Sequence, residues 1–109
     1  IYTLSLHDAL PISYDYGPKV TNRVSFYGAG LLWEINHYRE RLKMAEGVAV
    51  AICGHTHRPY IENVGSTLVM NPGSPTFPRS HLGPTMGRII CEEGAILAAE
   101  IIQLPLGNR

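Results

Sequence analysis

Apolar and polar positions change their period near the middle of this chain. Leu31, Ile35, Tyr38, Leu42 and Ala45 recur at the spacing of one helix face, with Glu34, Arg39, Glu40, Arg41 and Lys43 mainly off it. The spacing predicts a helix that starts between Ser25 and Gly30 and stops at Gly47, since glycine readily takes the left-handed conformation of a helix terminus. On that helix Trp33 and His37 read as surface or boundary residues. Val48 to Cys53 then runs apolar without interruption, as a strand buried in an α/β sheet does. Tyr60 to Val64 and Thr67 to Met70 predict two short strands, and Gly65-Ser66 between them suits a type II′ hairpin. Asn71 to His81 reads as a Pro/Gly/Ser loop. Gly87 to Glu92 and Ala95 to Gln103 predict a closing pair of strands around Glu93-Gly94. Tyr14 to Asn22 reads as a loop, and Pro105 to Arg109 as a fraying tail. Helix followed by successive strands implies a sheet packed on at least one helix.

Composition narrows the class without deciding it. The 109 residues suit one small domain, and 45% apolar with 17% charged residues is ordinary for a globular chain. Nine basic residues balance nine acidic ones, so charge gives no reason to expect a nucleic acid or an anionic membrane as partner. No apolar run approaches the length of a spanning helix. Cys53 and Cys91 sit inside apolar runs and read as buried thiols of a cytoplasmic protein rather than a disulfide. Oligomeric state is not legible.

Ile1 to Ser13 (IYTLSLHDALPIS) has neither period. It matches the conceptual translation of a common short-read sequencing adapter over its whole length. It is therefore set aside from fold reasoning, together with its His7-Asp8 pair. The organisation expected is an adapter-derived segment, 1–13, and a native segment, 14–109.

The chemistry-bearing feature is Gly54-His55-Thr56-His57, directly after the apolar strand. In extended backbone, residues i and i+2 point to one side, with Cα atoms about 6.6 Å apart. Two imidazoles so placed can chelate one metal or reach two metals about 3.5–4 Å apart. Gly54 would let the backbone turn sharply out of the sheet. A lone His-x-His is more often a pair of surface histidines, but the end of an α/β strand is where open sheets place ligand sites.

The string Cys53-Gly54-His55-Thr56-His57-Arg58-Pro59, then Met70-Asn71-Pro72-Gly73-Ser74, then Pro78-Arg79, resembles the C-terminal signature of calcineurin-like metallophosphoesterases. It is most similar to the small phosphodiesterase subfamily that includes the retromer scaffold subunit. The resemblance implies the C-terminal part of a four-layer α/β/β/α sandwich, incomplete here, with a dinuclear metal centre. His55 would serve the second metal and His57 the first. Manganese is the first expectation, with Zn, Fe, Ni or Co also suited. The implied activity is hydrolysis of a small-molecule phosphate ester, a diester by preference, by metal-activated water. The family's Asp-x-His, Gly-Asp, Gly-Asn-His and His-Gly motifs are missing, so the catalytic residues are unassigned and the chain itself is expected to be inactive. Gly54, Thr56, Asn71, Gly73, Ser74 and Arg79 are candidates for supporting or substrate-contacting positions. Asn71 to Ser74 reads first as a tight reversal, and Arg79 as a phosphate partner or an ordinary surface arginine. His81 has no partner at ligand spacing. The alternative function is a protein-binding scaffold on the same fold, without catalysis.

Overall fold

A computed structural model describes residues 2–6, 12–13, 20–21 and 23–105, with side chains from Val24 onward. His7-Asp8, the segment Tyr14 to Gly17 and the last four residues lie outside the described residues.

Among the described residues, ten strands and one 3-10 turn follow in chain order. They are β1 (Tyr2–Leu6), β2 (Ile12–Ser13), β3 (Val20–Thr21), β4 (Arg23–Gly28), β5 (Leu31–Asn36), β6 (Val48–Ile52), β7 (Tyr60–Val64), β8 (Thr67–Asn71), β9 (Thr85–Glu92) and β10 (Ala95–Gln103). The 3-10 turn, Arg39–Arg41, lies between β5 and β6. The larger sheet has the order β4-β5-β6-β8-β7. Its centre, β5-β6-β8, is parallel, and its two edge strands are antiparallel. A second, antiparallel sheet has the order β1-β9-β10, and β2 pairs with β3.

The helix expected over the residues before Gly47 does not form. Its place is taken by β4, β5 and the short 3-10 turn. Residues i and i+4 share a face in a strand as well as in a helix, so Leu31 and Ile35 could not separate the two. The deciding residue is Trp33, which lies between them on the same strand face. It is 1% exposed, belongs to the buried cluster that Leu31 and Ile35 pack against, and donates its indole N–H to the Gly28 carbonyl at 2.9 Å. The reversal at Ala29-Gly30 has φ of 53° and 72°, the two positive values that a tight hairpin between twisted strands requires. Glu34, expected on a solvated helix face, is buried. Its carboxylate accepts the backbone N–H groups of Lys43 and Met44, each at 2.8 Å, which turns the chain back toward β6. Gly47 does take a left-handed φ of 89°, but it closes a loop. The Tyr14–Asn22 loop expectation also gives way in part, since Val20–Thr21 pairs with Ile12–Ser13.

The later strands stand where the pattern placed them. Only Gly65, and not Ser66, has positive φ in the β7–β8 connection, as a type II′ turn requires. β6 is buried on both faces. Val50 and Ile52 join Trp33, Met70, Ile89 and Cys91 between the two sheets, while Ala51 and Cys53 join Leu42 and Val69 on the other side. This double burial explains the unbroken apolar run. Tyr2–Leu6 pairs along β9 through five register positions. Ladder bonds run through backbone groups and tolerate many side chains.

Candidate functional site

The site forms where β5 and β6 end side by side. β6 gives out at Ile52, and Cys53 N–H donates to the Met70 carbonyl at 2.9 Å. Gly54 N–H then donates to the His37 carbonyl at 3.2 Å, tying the loop to the residue that follows β5. Thr56 N–H donates back to the Gly54 carbonyl at 2.8 Å, which closes a three-residue turn with His55 at its centre.

This geometry overturns the extended-chain premise for the two histidines. His55 has φ 71° and His57 φ 60°, both left-handed. Left-handed backbone costs a residue with a Cβ roughly 1–2 kcal/mol, and such strain concentrates at functional positions. At His55 the cause is the Thr56 N–H to Gly54 carbonyl bond, which closes the turn around it.

Each imidazole is held by a partner. His57 Nδ1 lies 2.7 Å from the Phe77 carbonyl oxygen. A carbonyl only accepts, so Nδ1 carries the proton and Nε2 keeps its lone pair, the tautomer typical of a metal-ligating histidine. His55 Nδ1 lies 3.1 Å from His37 Nε2. Two nitrogens at that separation can share a proton or, with bonds of about 2.0–2.1 Å each, one divalent ion. The other ring nitrogen of His37 is buried, with no hydrogen-bond partner among the described residues. The His37 pKa is lowered first by burial, then by the charges of His55 and His57.

His37 is therefore the residue that sequence reasoning missed. On a helix it reads as a surface or boundary residue. The available signal was its position at the end of a strand-forming stretch, obscured because the stretch was read with the wrong period.

Asn71, Gly73 and Ser74 are all buried and build the floor. Asn71 Nδ2 donates to the Gly54 carbonyl at 3.3 Å and to Thr56 Oγ1 at 3.2 Å. Its Oδ1 accepts Gly73 N–H at 2.9 Å. Ser74 Oγ accepts the Phe77 N–H at 2.9 Å, which presents the Phe77 carbonyl to His57. Arg79 N–H donates to the His57 carbonyl at 3.3 Å. Asn71, Gly73 and Ser74 thus brace the two loops from below. An open cavity of about 330 Å³ lies above them, lined by His55, Thr56, Arg58 and Arg79. His57 does not line it, and His81 is exposed elsewhere in the loop.

Three imidazoles suit a borderline divalent metal in donor type. In number they fall short. Among the described residues no group of three or more His, Cys, Asp or Glu side chains stands close enough to hold a metal ion.

Residues 24–94 match the profile of the calcineurin-like phosphoesterase superfamily domain. The chain belongs to that superfamily. It is 52% identical over 40 residues to a Methanocaldococcus jannaschii protein named as a probable metallophosphoesterase. That alignment takes in 37% of this chain and 21% of the relative, so the chain spans about a fifth of the relative's length. Among solved structures, an archaeal phosphodiesterase superposes with a TM-score of 0.58 at 28% identity, over 75% of this chain and 52% of that one. Entamoeba histolytica Vps29 complexed with zinc superposes with a TM-score of 0.56 at 16% identity, over 85% and 66% of the two chains. The latter likeness is one of fold. The chain is thus part of a metallophosphoesterase fold, as the motif order implied, although the stretch expected to be helix before Gly47 is strand and 3-10 turn. Among the described residues no helix is long and apolar enough to cross a membrane.

Proposed function

We propose that this chain is the C-terminal portion of a metal-dependent phosphodiesterase, in which His55 and His57 supply imidazole ligands to a dinuclear centre. The observation that carries the reading is the left-handed pair at the end of a buried parallel strand, with His57 Nδ1 fixed on a carbonyl and Nε2 left available. His37 stands beside His55 as a further imidazole donor. Two divalent ions, manganese first, would supply Lewis acidity and an activated water for in-line displacement at phosphorus. The chain's own residues fix where the imidazoles stand. The Phe77 carbonyl sets the His57 tautomer, and Asn71 and Ser74 anchor the two loops that face each other. A bridging carboxylate is needed to hold two cations close together against their repulsion, and the proposal places it in the part of the relatives that this chain does not span.

The test compares Mn²⁺-dependent release of nitrophenol from bis(4-nitrophenyl) phosphate by this chain, by the longer natural protein, and by that protein carrying His55→Ala or His57→Ala. Turnover by the longer protein, a drop of at least a hundredfold in either variant and negligible turnover by this chain are expected. A longer protein without turnover moves the reading to a scaffold on the same fold. Recovering that protein means reading the genomic codons upstream of Tyr14. Finding the Ile1–Ser13 string encoded there would refute its adapter origin.

A further inference from the structure

The arginines with described side chains divide into two groups. Arg39 pairs with Glu62 at 3.1 Å, Arg88 pairs with Glu100, and Arg41 lies over the Tyr38 ring at 4.7 Å. Arg58 and Arg79 have no carboxylate or aromatic partner among the described residues, and both line the cavity that His55 lines. Among the described residues no carboxylate lines that cavity, and Thr56 adds a hydroxyl.

From this we infer that the cavity is a subsite for a phosphomonoester dianion, either free phosphate or a terminal phosphate carried by the substrate. Charge selects the class. Two uncompensated guanidiniums bring two positive charges to one open hollow. A phosphodiester carries one negative charge, whereas a phosphomonoester carries about −1.5 to −2 at neutral pH. Geometry agrees, because a guanidinium presents parallel N–H donors that match two phosphate oxygens at once. The two arginines come from different loops, 54–59 and 72–84, and those loops are fastened together by Arg79 N–H to the His57 carbonyl and by His57 to the Phe77 carbonyl. The pair is thus held by the same contacts that set the histidines, and an anion there would lie next to His55. The inference deepens the phosphoesterase reading, which supplies the reason to prefer phosphate over other oxyanions. It makes the substrate a phosphoester bearing a second, non-reacting phosphate, or the site a holder of phosphate itself.

The experiment is binding at low ionic strength, followed by amide and guanidinium NMR shifts of this 109-residue chain. Inorganic phosphate, methyl phosphate and dimethyl phosphate are titrated in parallel against wild type, Arg58→Gln and Arg79→Gln. Both dianions should bind at least tenfold more tightly than dimethyl phosphate, and each substitution should weaken them at least fivefold. Methyl phosphate bound as well as phosphate assigns the site to a terminal phosphate group, and phosphate bound alone assigns it to the free anion. Equal binding of dimethyl phosphate, or dianion binding indifferent to both substitutions, overturns the inference. The longer natural protein gives a second measurement: the inhibition constant of phosphate against bis(4-nitrophenyl) phosphate hydrolysis should rise at least fivefold in either variant. Hydrolysis with an unchanged inhibition constant sinks the subsite and spares the phosphoesterase reading. Dianion binding without hydrolysis does the reverse.

Discussion

Two loops leave the carboxyl ends of neighbouring parallel strands, and they are built in opposite ways. The loop after β6 carries His55, Thr56 and Arg58 exposed to solvent, and holds two histidines in left-handed backbone. The loop after β8, from Asn71 through Ser74, is fully buried, and its polar atoms are taken up by hydrogen bonds. One loop stores strain and the other stores satisfied polar contacts. The buried loop is what allows the exposed one to stay strained: Asn71 grips Gly54 and Thr56 from below, and Ser74 aims the carbonyl that holds His57.

The contrast can be broken most severely at Gly73. Its φ is 77°, and a Cβ there would sit 2.0 Å from Thr85 Oγ1, which itself donates to the Pro72 carbonyl. Gly73→Ala combines left-handed strain with overpacking and should cost about 3 kcal/mol or more in stability. Urea denaturation measures it, and a loss under about 1 kcal/mol would mean that the loop is not the rigid floor described. Asn71→Ala is next. It leaves the buried Gly54 carbonyl without its donor and the buried Gly73 N–H without its acceptor, and should cost about 2 kcal/mol. In the longer protein it should also weaken metal binding, measured by calorimetry, although Asn71 does not touch the cavity. Unchanged affinity would separate the two loops that this comparison joins.

How far the sequence could be read follows the same division. β6, β7, β8, β9 and β10 were legible because their apolar runs are short, rich in branched residues and punctuated by glycine. The His-Thr-His and Asn-Pro-Gly-Ser motifs were legible as a family signature. The stretch from Arg23 to Gly47 was not, because Leu31 and Ile35 satisfy both periods and only burial of Trp33 and Glu34 decides between them. Burial is a tertiary fact. The error carried into the site, since a helical His37 cannot stand beside His55. His55 and His57 stand out in the sequence by their i, i+2 spacing, but the extended backbone which that spacing assumes is absent, because histidine does not announce a left-handed φ.

A smaller effect is expected beneath the exposed loop. Burial raises the Cys53 thiol above its ordinary value of 9.0, with the Tyr60 hydroxyl at 3.3 Å as a weaker, opposing influence. Burial and Cys53 together push the Tyr60 phenol upward as well. Both groups are held protonated in the folded state. Their contribution is complete below pH 9.0 and is lost as pH rises through the folded values, because the unfolded chain ionises first. Stability should therefore decline above pH 9.0, and Cys53→Ala should flatten that slope whatever it does to the level. Denaturation midpoints from pH 7 to 10.5 read this directly. Parallel slopes for both proteins would show the thiol to be solvated.

The smallest effect tests the strain itself. His55 is exposed, so its replacement removes little packing, and the outcome turns on backbone conformation. Alanine keeps a Cβ and keeps the left-handed cost of roughly 1–2 kcal/mol. Glycine escapes that cost but loses about 0.5–1 kcal/mol through its freer unfolded chain. His55→Gly should thus be more stable than His55→Ala by about 0.5–1 kcal/mol. This reverses the order expected anywhere in an extended strand, where alanine is the better residue. His57→Gly against His57→Ala should give the same sign, since both variants lose the bond to Phe77 equally. The metal affinity of the longer protein should fall alike for alanine and glycine, because both lack the imidazole. Glycine less stable than alanine at both positions would show that the histidine loop relaxes to ordinary backbone in solution, and the contrast between a strained loop and its buried support would fail there.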